Sequence, residues 1–238
     1  MLENLSLYIS IVFGITTAVT VLLFYWALEN SSSLSVKRNS IKILIGLVLW
    51  LLIQTVLTFQ NVYSAHTDFS PPTILILGIL PALLIITALF CTNKGRQFID
   101  SIPLINLTYL NIVRVPVEVV FFWLFLNKAI PELMTFEGRN FDILAGISAP
   151  VIAYFGLYKK IISGKVILIW NFICLALLIN IVIIAFLSAP SPVQKLAFNQ
   201  PNIAILHFPF SWLPTFIVPV ILFGHLTSIR LLLKGRNR

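Results

Sequence analysis

Runs of apolar sequence about as long as a bilayer is thick dominate this chain. They fall at about residues 6–28, 41–62, 72–91, 104–127, 142–158, 166–188 and 210–232. A helix rises about 1.5 Å per residue and the hydrocarbon core is roughly 30 Å thick, so about 20 apolar residues make one crossing. Only helices and closed barrels satisfy their own backbone groups in lipid. Barrel strands would be about 10 residues of alternating polarity, whereas these runs are long, continuous and rich in Leu and Ile. The expectation is an all-α polytopic membrane bundle of seven transmembrane helices, a single domain over residues 1–238. Connections this short leave no room for a soluble unit.

Composition agrees. Hydrophobic residues make up 59% of the chain and charged residues 10%, with a mean hydropathy of +1.00, which excludes an ordinary soluble domain. The net charge of +8 raises a nucleic-acid partner as a reading, and the placement of the charges removes it. Of the 16 Lys and Arg, 12 fall at alternate connections or the C-terminus: Lys37, Arg38, Lys42, Lys94, Arg96, Lys159, Lys160, Lys165, Arg230, Lys234, Arg236 and Arg238. Lys128, Arg139 and Lys195 fall on the other side. This asymmetry follows the positive-inside rule and places the N-terminus outside and the C-terminus in the cytoplasm. The partner it implies is membrane lipid. Met1-Leu-Glu-Asn lacks a basic n-region, so the first run reads as a helix rather than a cleaved leader. Cys91 and Cys174 form no motif and read as small packing residues.

One stretch resists this apolar description: Asn111-Ile-Val-Arg-Val-Pro-Val-Glu118. Asn111, Arg114 and Glu118 recur at helical spacing and share a face. Counted from a span start near residue 104, Arg114 lies roughly 15 Å and Glu118 roughly 20 Å into the membrane. Charge at that depth is costly and normally turns toward the bundle interior to find partners. Two readings follow. Arg114 and Glu118 pair with each other and fix helix packing, or they line a cavity that meets a ligand or handles a proton. His225, about 10 Å from the end of the last span, lies near the same depth and is the candidate third member. Asn171, Asn180, Gln54 and Tyr154 are candidate polar lining, with interhelical hydrogen bonds as the plainer alternative. Pro81, Pro116, Pro150, Pro214 and Pro219 fall within spans, where each removes a backbone hydrogen bond and favours a kink.

Outside the spans, Asn93–Asp100 mixes charge with Phe98 and Ile99 and reads as a segment lying along the headgroups. The 188–209 stretch, rich in proline and apolar residues, reads as a packed cap. His66, Asp68 and His207 are candidate metal ligands on that face, but no spacing there matches a recognised zinc signature. Loop-anchoring salt bridges and caps are the competing reading, with Asp142 placed to cap the fifth span.

In outline the bundle is similar to the rhodopsins, but the last span has no lysine to hold retinal. His225 has no second histidine four residues away, unlike the HxxxH pair of the membrane hydrolases that include alkaline ceramidases. The stretches Arg114-Val-Pro-Val-Glu118, Met134-Thr-Phe-Glu-Gly-Arg-Asn-Phe-Asp142 through Pro150, Ser188–Pro192 and Phe198–Asn202 resemble a family of uncharacterised seven-helix integral membrane proteins of Bacteroidota. The resemblance implies a bacterial inner-membrane setting and no particular activity or cofactor. The functional expectation is a buried polar cluster of Asn111, Arg114, Glu118 and His225 that binds or transports a small amphiphilic or anionic molecule, with Arg114 contacting the anion. The alternatives are a membrane-embedded enzyme acting on a lipid-like substrate, with Glu118 or His225 as acid or base, and a structural or partner-binding subunit.

Overall fold

The computed structural model describes residues 5–65, 67 and 71–235. Among them every regular element is helical and no strand occurs. The helices are α1 (Leu7–Glu29), α2 (Leu34–Phe59), α3 (Leu75–Cys91), α4 (Asn93–Ser101), α5 (Leu104–Leu126), α6 (Ile143–Tyr158), α7 (Gly164–Ser188) and α8 (Leu213–Leu233). By length and apolarity, α1, α2, α5, α7 and α8 each suffice to cross a membrane, and α3 with α4 forms a sixth candidate bent by 94°. The bend sits at Thr92, whose backbone is extended and whose Oγ1 accepts from Gly95 N at 3.1 Å, capping α4. The remaining expected crossing, residues 142–158, falls on α6, an apolar helix shorter than the five long ones.

The sides of these helices that no neighbour covers are oily. On α2 the side chains of Ile41, Ile45, Val48, Leu49, Leu52, Ile53 and Val56 are all exposed, a belt that only an apolar solvent tolerates. The most apolar stretch of α2 is 11% buried and that of α8 is 72% buried, so α8 is the central post. It packs against α7, α5 and α3, while α2 packs chiefly on α1. Lipid tails are as apolar as the side chains, so burying Leu and Ile adds little drive between helices. Close packing and polar contacts carry the association instead.

The prolines show how those polar contacts are placed. Pro81 has no N–H to give Leu77 O four residues back, and Gln54 Nε2 donates to that carbonyl at 3.3 Å. Pro219 likewise leaves Thr215 O free, and Trp50 Nε1 donates to it at 2.9 Å. Trp50 and Gln54 lie one turn apart on α2, so one face of this otherwise lipid-exposed helix serves both broken ladders. Beside each proline the helix widens by one residue per turn, at Leu75–Ile79 in α3 and Leu213–Ile217 in α8. These two wide turns cross at Gly78, where an added Cβ would come within 2.4 Å of Thr215 Cγ2.

The bundle has two unlike ends. At the basic end Asp100 of α4 pairs with Arg230 at 2.9 Å and Lys234 at 2.9 Å, both at the end of α8. Ser31 Oγ donates to Ser101 Oγ there at 2.8 Å. At the opposite end the connections pack over the helices: Gln200 Nε2 donates to Ile130 O at 2.6 Å and Ile203 N to Ala129 O at 3.1 Å. Met134, Thr135, Asn140 and Asn202 of these connections are fully buried.

Candidate functional site

A helix as short as α6 brings its preceding loop deep into the bundle. Its 16 residues rise about 24 Å, less than the roughly 30 Å of hydrocarbon. The α5–α6 connection packs inward, and its buried Asn140 and Asp142 meet Glu118 and Arg114 of α5. Gly146 permits the approach, since a Cβ there would lie 2.7 Å from Val115 Cγ2 and 3.2 Å from Asn111 O on α5.

Arg114, 3% exposed, points into this junction. Its Nε donates to Asp142 Oδ2 at 2.7 Å and its Nη2 to Asp142 Oδ1, a bidentate ion pair. Nη2 also donates to Cys174 O at 3.0 Å. Nη1 donates to Asn111 Oδ1 at 3.2 Å and meets His225 Nε2 at 3.1 Å. A guanidinium has five N–H donors and cannot accept, so all five are used. His225 Nε2 must then accept, which places its proton on Nδ1, facing Asn171 Oδ1 at 3.1 Å. Asn171 Nδ2 in turn donates to Ile167 O at 3.0 Å. Four helices, α5 to α8, are tied through one side chain.

Two expectations are corrected by this arrangement. Arg114 pairs with Asp142 and not with Glu118. Asp142 does not cap α6 with its side chain, because the guanidinium takes both its oxygens. A buried ion pair is tolerated only when its remaining hydrogen-bonding capacity is met, and here it is. In this arrangement every Arg114 N–H and both His225 nitrogens have a protein partner.

Glu118 stands apart. It is 1% exposed, and its Oε1 accepts from Asn140 Nδ2 at 2.6 Å. Asn140 also donates to Met134 O at 3.0 Å, while its Oδ1 accepts from Asp142 N at 3.0 Å, so Asn140 joins Glu118 to the arginine network. Glu118 Oε2 has no partner. Among the described residues five buried side-chain polar atoms share that condition, on Asn106, Glu118, Ser188, Asn202 and Thr227. Of these residues Glu118 belongs to the lining of the cavity between α3, α5, α7 and α8.

That cavity, of about 500 Å³, lies between α3, α5, α7 and α8. Leu83, Leu178, Ile181, Leu213 and Ile217 give it apolar walls, and Tyr63, Ala189 and Leu206 bound it toward the packed-loop end. Arg114, Glu118 and Asp142 are the charged residues of its lining, and Tyr63, Thr67 and Ser191 add hydroxyls. Its wall includes Ile179 and Ile183, exposed on the lipid-facing side of α7, so it communicates with the bilayer. Both wide turns, in α3 and α8, contribute to the lining, and such turns are frequent at functional sites. A second groove of about 830 Å³ lies between α2, α3 and α8 near Lys94, and no unpartnered buried polar atom faces it.

The remaining candidates are scattered. Gln54 accepts from the Tyr63 hydroxyl, Tyr154 is exposed beside Phe155 and Tyr158, and Asn180 donates to Arg139 O at 3.0 Å. His207 is half-buried, and desolvation lowers its pKa below the ordinary 6.5. His66 and Asp68 lie outside the described residues. Among the described residues no three His, Cys, Asp or Glu side chains come together as a metal site. The sequence reading left Asn140 unremarked and placed Asp142 at a helix cap. The signal that would have found Asp142 is the need of a mid-membrane arginine for a carboxylate, combined with a following span too short to start at the surface.

Comparison with known proteins bears on this site through a single match. No curated protein matches the chain, and no solved structure does. A family model described as Domain of unknown function (DUF8737) matches residues 71–233, which takes in α3 to α8 and every member of the Arg114 network. With more than half its length matched, the chain belongs to this DUF8737 family.

Proposed function

We propose that this is a seven-span protein of a bacterial inner membrane that binds, and by binding carries or presents, a small amphiphilic molecule in the cavity at Glu118. The observation that carries this reading is an apolar cavity of ligand size, about 500 Å³, whose buried polar patch holds a carboxylate oxygen with no protein partner. In a finished fold such atoms are rare and costly. The lipid-facing wall of α7 gives a hydrophobic molecule an approach from the bilayer. Within this reading the Arg114–Asp142–His225 network is scaffold, and Glu118 is the group that meets the ligand. That division favours an amphiphile over a free anion, because the arginine is already satisfied. Counting α6 as the seventh crossing gives opposite sides to the two termini, and the basic residues put the α8 end in the cytoplasm.

Native mass spectrometry of protein released gently from membranes tests the binding claim. A one-to-one adduct of amphiphile mass is expected, lost in the cavity-filling variant Ile217→Phe while the polypeptide stays folded. A clean polypeptide mass, or an adduct indifferent to Ile217→Phe, contradicts it.

A further inference from the structure

The groove between α2, α3 and α8, of about 830 Å³, reaches the basic end of the bundle and shares one lining residue, Pro219, with the Glu118 cavity. Its walls run from Ile43 to Trp50 on α2, from Ala82 to Leu89 on α3 and from Thr215 to Phe223 on α8. At about 1.5 Å per residue these stretches are about 10–12 Å long, most of the roughly 15 Å of hydrocarbon in one leaflet. Ile85 and Ala88 of the lining are exposed, so the groove lies open to the bilayer. At its inner end Trp50 Nε1 donates to Thr215 O at 2.9 Å, and Thr215 Oγ1 donates to Ser211 O at 2.8 Å. A hydrocarbon tail there leaves no polar side chain unpaired.

The mouth has the opposite character. The charged residue of the lining is Lys94, which is exposed. The ion pairs among the described residues are those of Arg114, Arg230 and Lys234, so Lys94 is in none of them. Lys42 lies one helical turn before Gly46 and two before Trp50, both in the lining, and so continues the same face of α2 past the groove. Arg96 of α4 donates to the neutral Asn93 Oδ1 at 2.5 Å. The carboxylates at this end are engaged elsewhere, Asp100 with Arg230 and Lys234 and Glu29 with the Ser40 hydroxyl. Positive charge stands uncompensated over an apolar slot about one leaflet deep, and basic pockets of that kind between membrane helices suit anionic lipid heads.

We infer that this groove seats an acyl chain of an anionic phospholipid from the leaflet at the basic end, with Lys94 and Lys42 over its phosphate. The inference needs the chain to lie in a bilayer and does not depend on the Glu118 cavity. Charge at the mouth disfavours a zwitterionic lipid, whose own ammonium offsets the attraction. The apolar depth behind it disfavours a free phosphate, which fills none of the slot.

The test places the full-length protein in nanodiscs of equal phosphatidylglycerol and phosphatidylcholine with the same acyl chains, and reads the lipid that stays bound by native mass spectrometry. In wild type a one-to-one adduct is expected, enriched in phosphatidylglycerol at least about fivefold, the scale of one lysine near an anionic head. Lys94→Gln should lower that enrichment about fivefold. Gly46→Phe should abolish the adduct by filling the slot, since a Cβ at Gly46 meets nothing within 4 Å. Ile217→Phe, which fills the Glu118 cavity, should leave the enrichment unchanged.

Retention at the bulk ratio in wild type, or an enrichment that Lys94→Gln leaves intact, overturns the inference. An adduct that survives Gly46→Phe puts the lipid elsewhere, and one lost in Ile217→Phe puts it in the Glu118 cavity; either result overturns the inference as well. Glycerol phosphate, the head without tails, should not be retained, and its retention would mark a head-only anion site instead. Should Gly46→Phe fail to fold, Ala88→Trp fills the same slot from an exposed position on α3 and must abolish the adduct.

Discussion

The division of labour between two carboxylates is a matter of single atoms. Asp142 has both oxygens bound to a buried guanidinium, so Asp142→Asn leaves a desolvated charge half-compensated and should cost about 3–5 kcal/mol. Glu118→Gln keeps the contact with Asn140 and should change stability by less than about 1 kcal/mol. Thermal unfolding in mild detergent separates the two, and similar losses would mean that Glu118 is scaffold as well. A third carboxylate reports on the basic end. Desolvation works to raise the pKa of Asp100, and the hydrogen bonds and charges of Arg230 and Lys234 outweigh it, so the pKa lies below the ordinary 3.8. With the folded pKa depressed, this contribution is present above the unfolded value and disappears as pH falls through the folded one. Acidification below about pH 4 should therefore loosen α4 from α8 in the wild type, and Asp100→Asn should be loosened already at neutral pH. Proteolysis in the 92–103 stretch followed against pH reads this directly. In the sequence, the helical spacing of Asn111, Arg114 and Glu118 identified a shared face. It did not reveal that Arg114 reaches past Glu118 to Asp142, because that depends on how far a loop dips.

The ladders broken at Pro81 in α3 and Pro219 in α8 are repaired by a neighbour, and α2 supplies both donors. Trp50→Phe removes the donor to Thr215 O and Gln54→Leu the donor to Leu77 O. Each should cost about 1–3 kcal/mol, the penalty of an unsatisfied buried carbonyl. Because the two sit on one face and serve the same α3–α8 crossing, the double variant should deviate from additivity. Thermal midpoints of the four proteins test this, and strict additivity would contradict a shared clamp. The prolines themselves were plain in the sequence, as was their expected effect on the ladder. Their repair by Trp50 and Gln54 was not, since donors 165 and 23 positions away from the freed carbonyls supply it. The 94° turn of α4 from α3 arises because Thr92 and the polar residues after it end one apolar run and cap the next helix.

At the scale of the whole molecule, the apolar runs made the helical bundle legible, and five long helices with a bent sixth candidate stand on them. The cavity was not legible, because it depends on how α3, α7 and α8 splay, and one chain's hydropathy carries no information on that. The proposed topology has its own test. In a background of Cys91→Ser and Cys174→Ser, single cysteines at Lys128 and Lys160, on either side of α6, should label from opposite sides of intact cells. Labelling from one side would remove α6 from the set of crossings. The central claim, that Glu118 meets a ligand while Arg114 serves the scaffold, is tested most directly by an electron cryo-microscopy map of the full-length protein in nanodiscs of its own membrane lipid. The account predicts elongated density in the cavity, ending in a head within hydrogen-bond distance, about 3 Å, of Glu118 Oε2. A closed cavity with Glu118 Oε2 bonded to a protein group would contradict it.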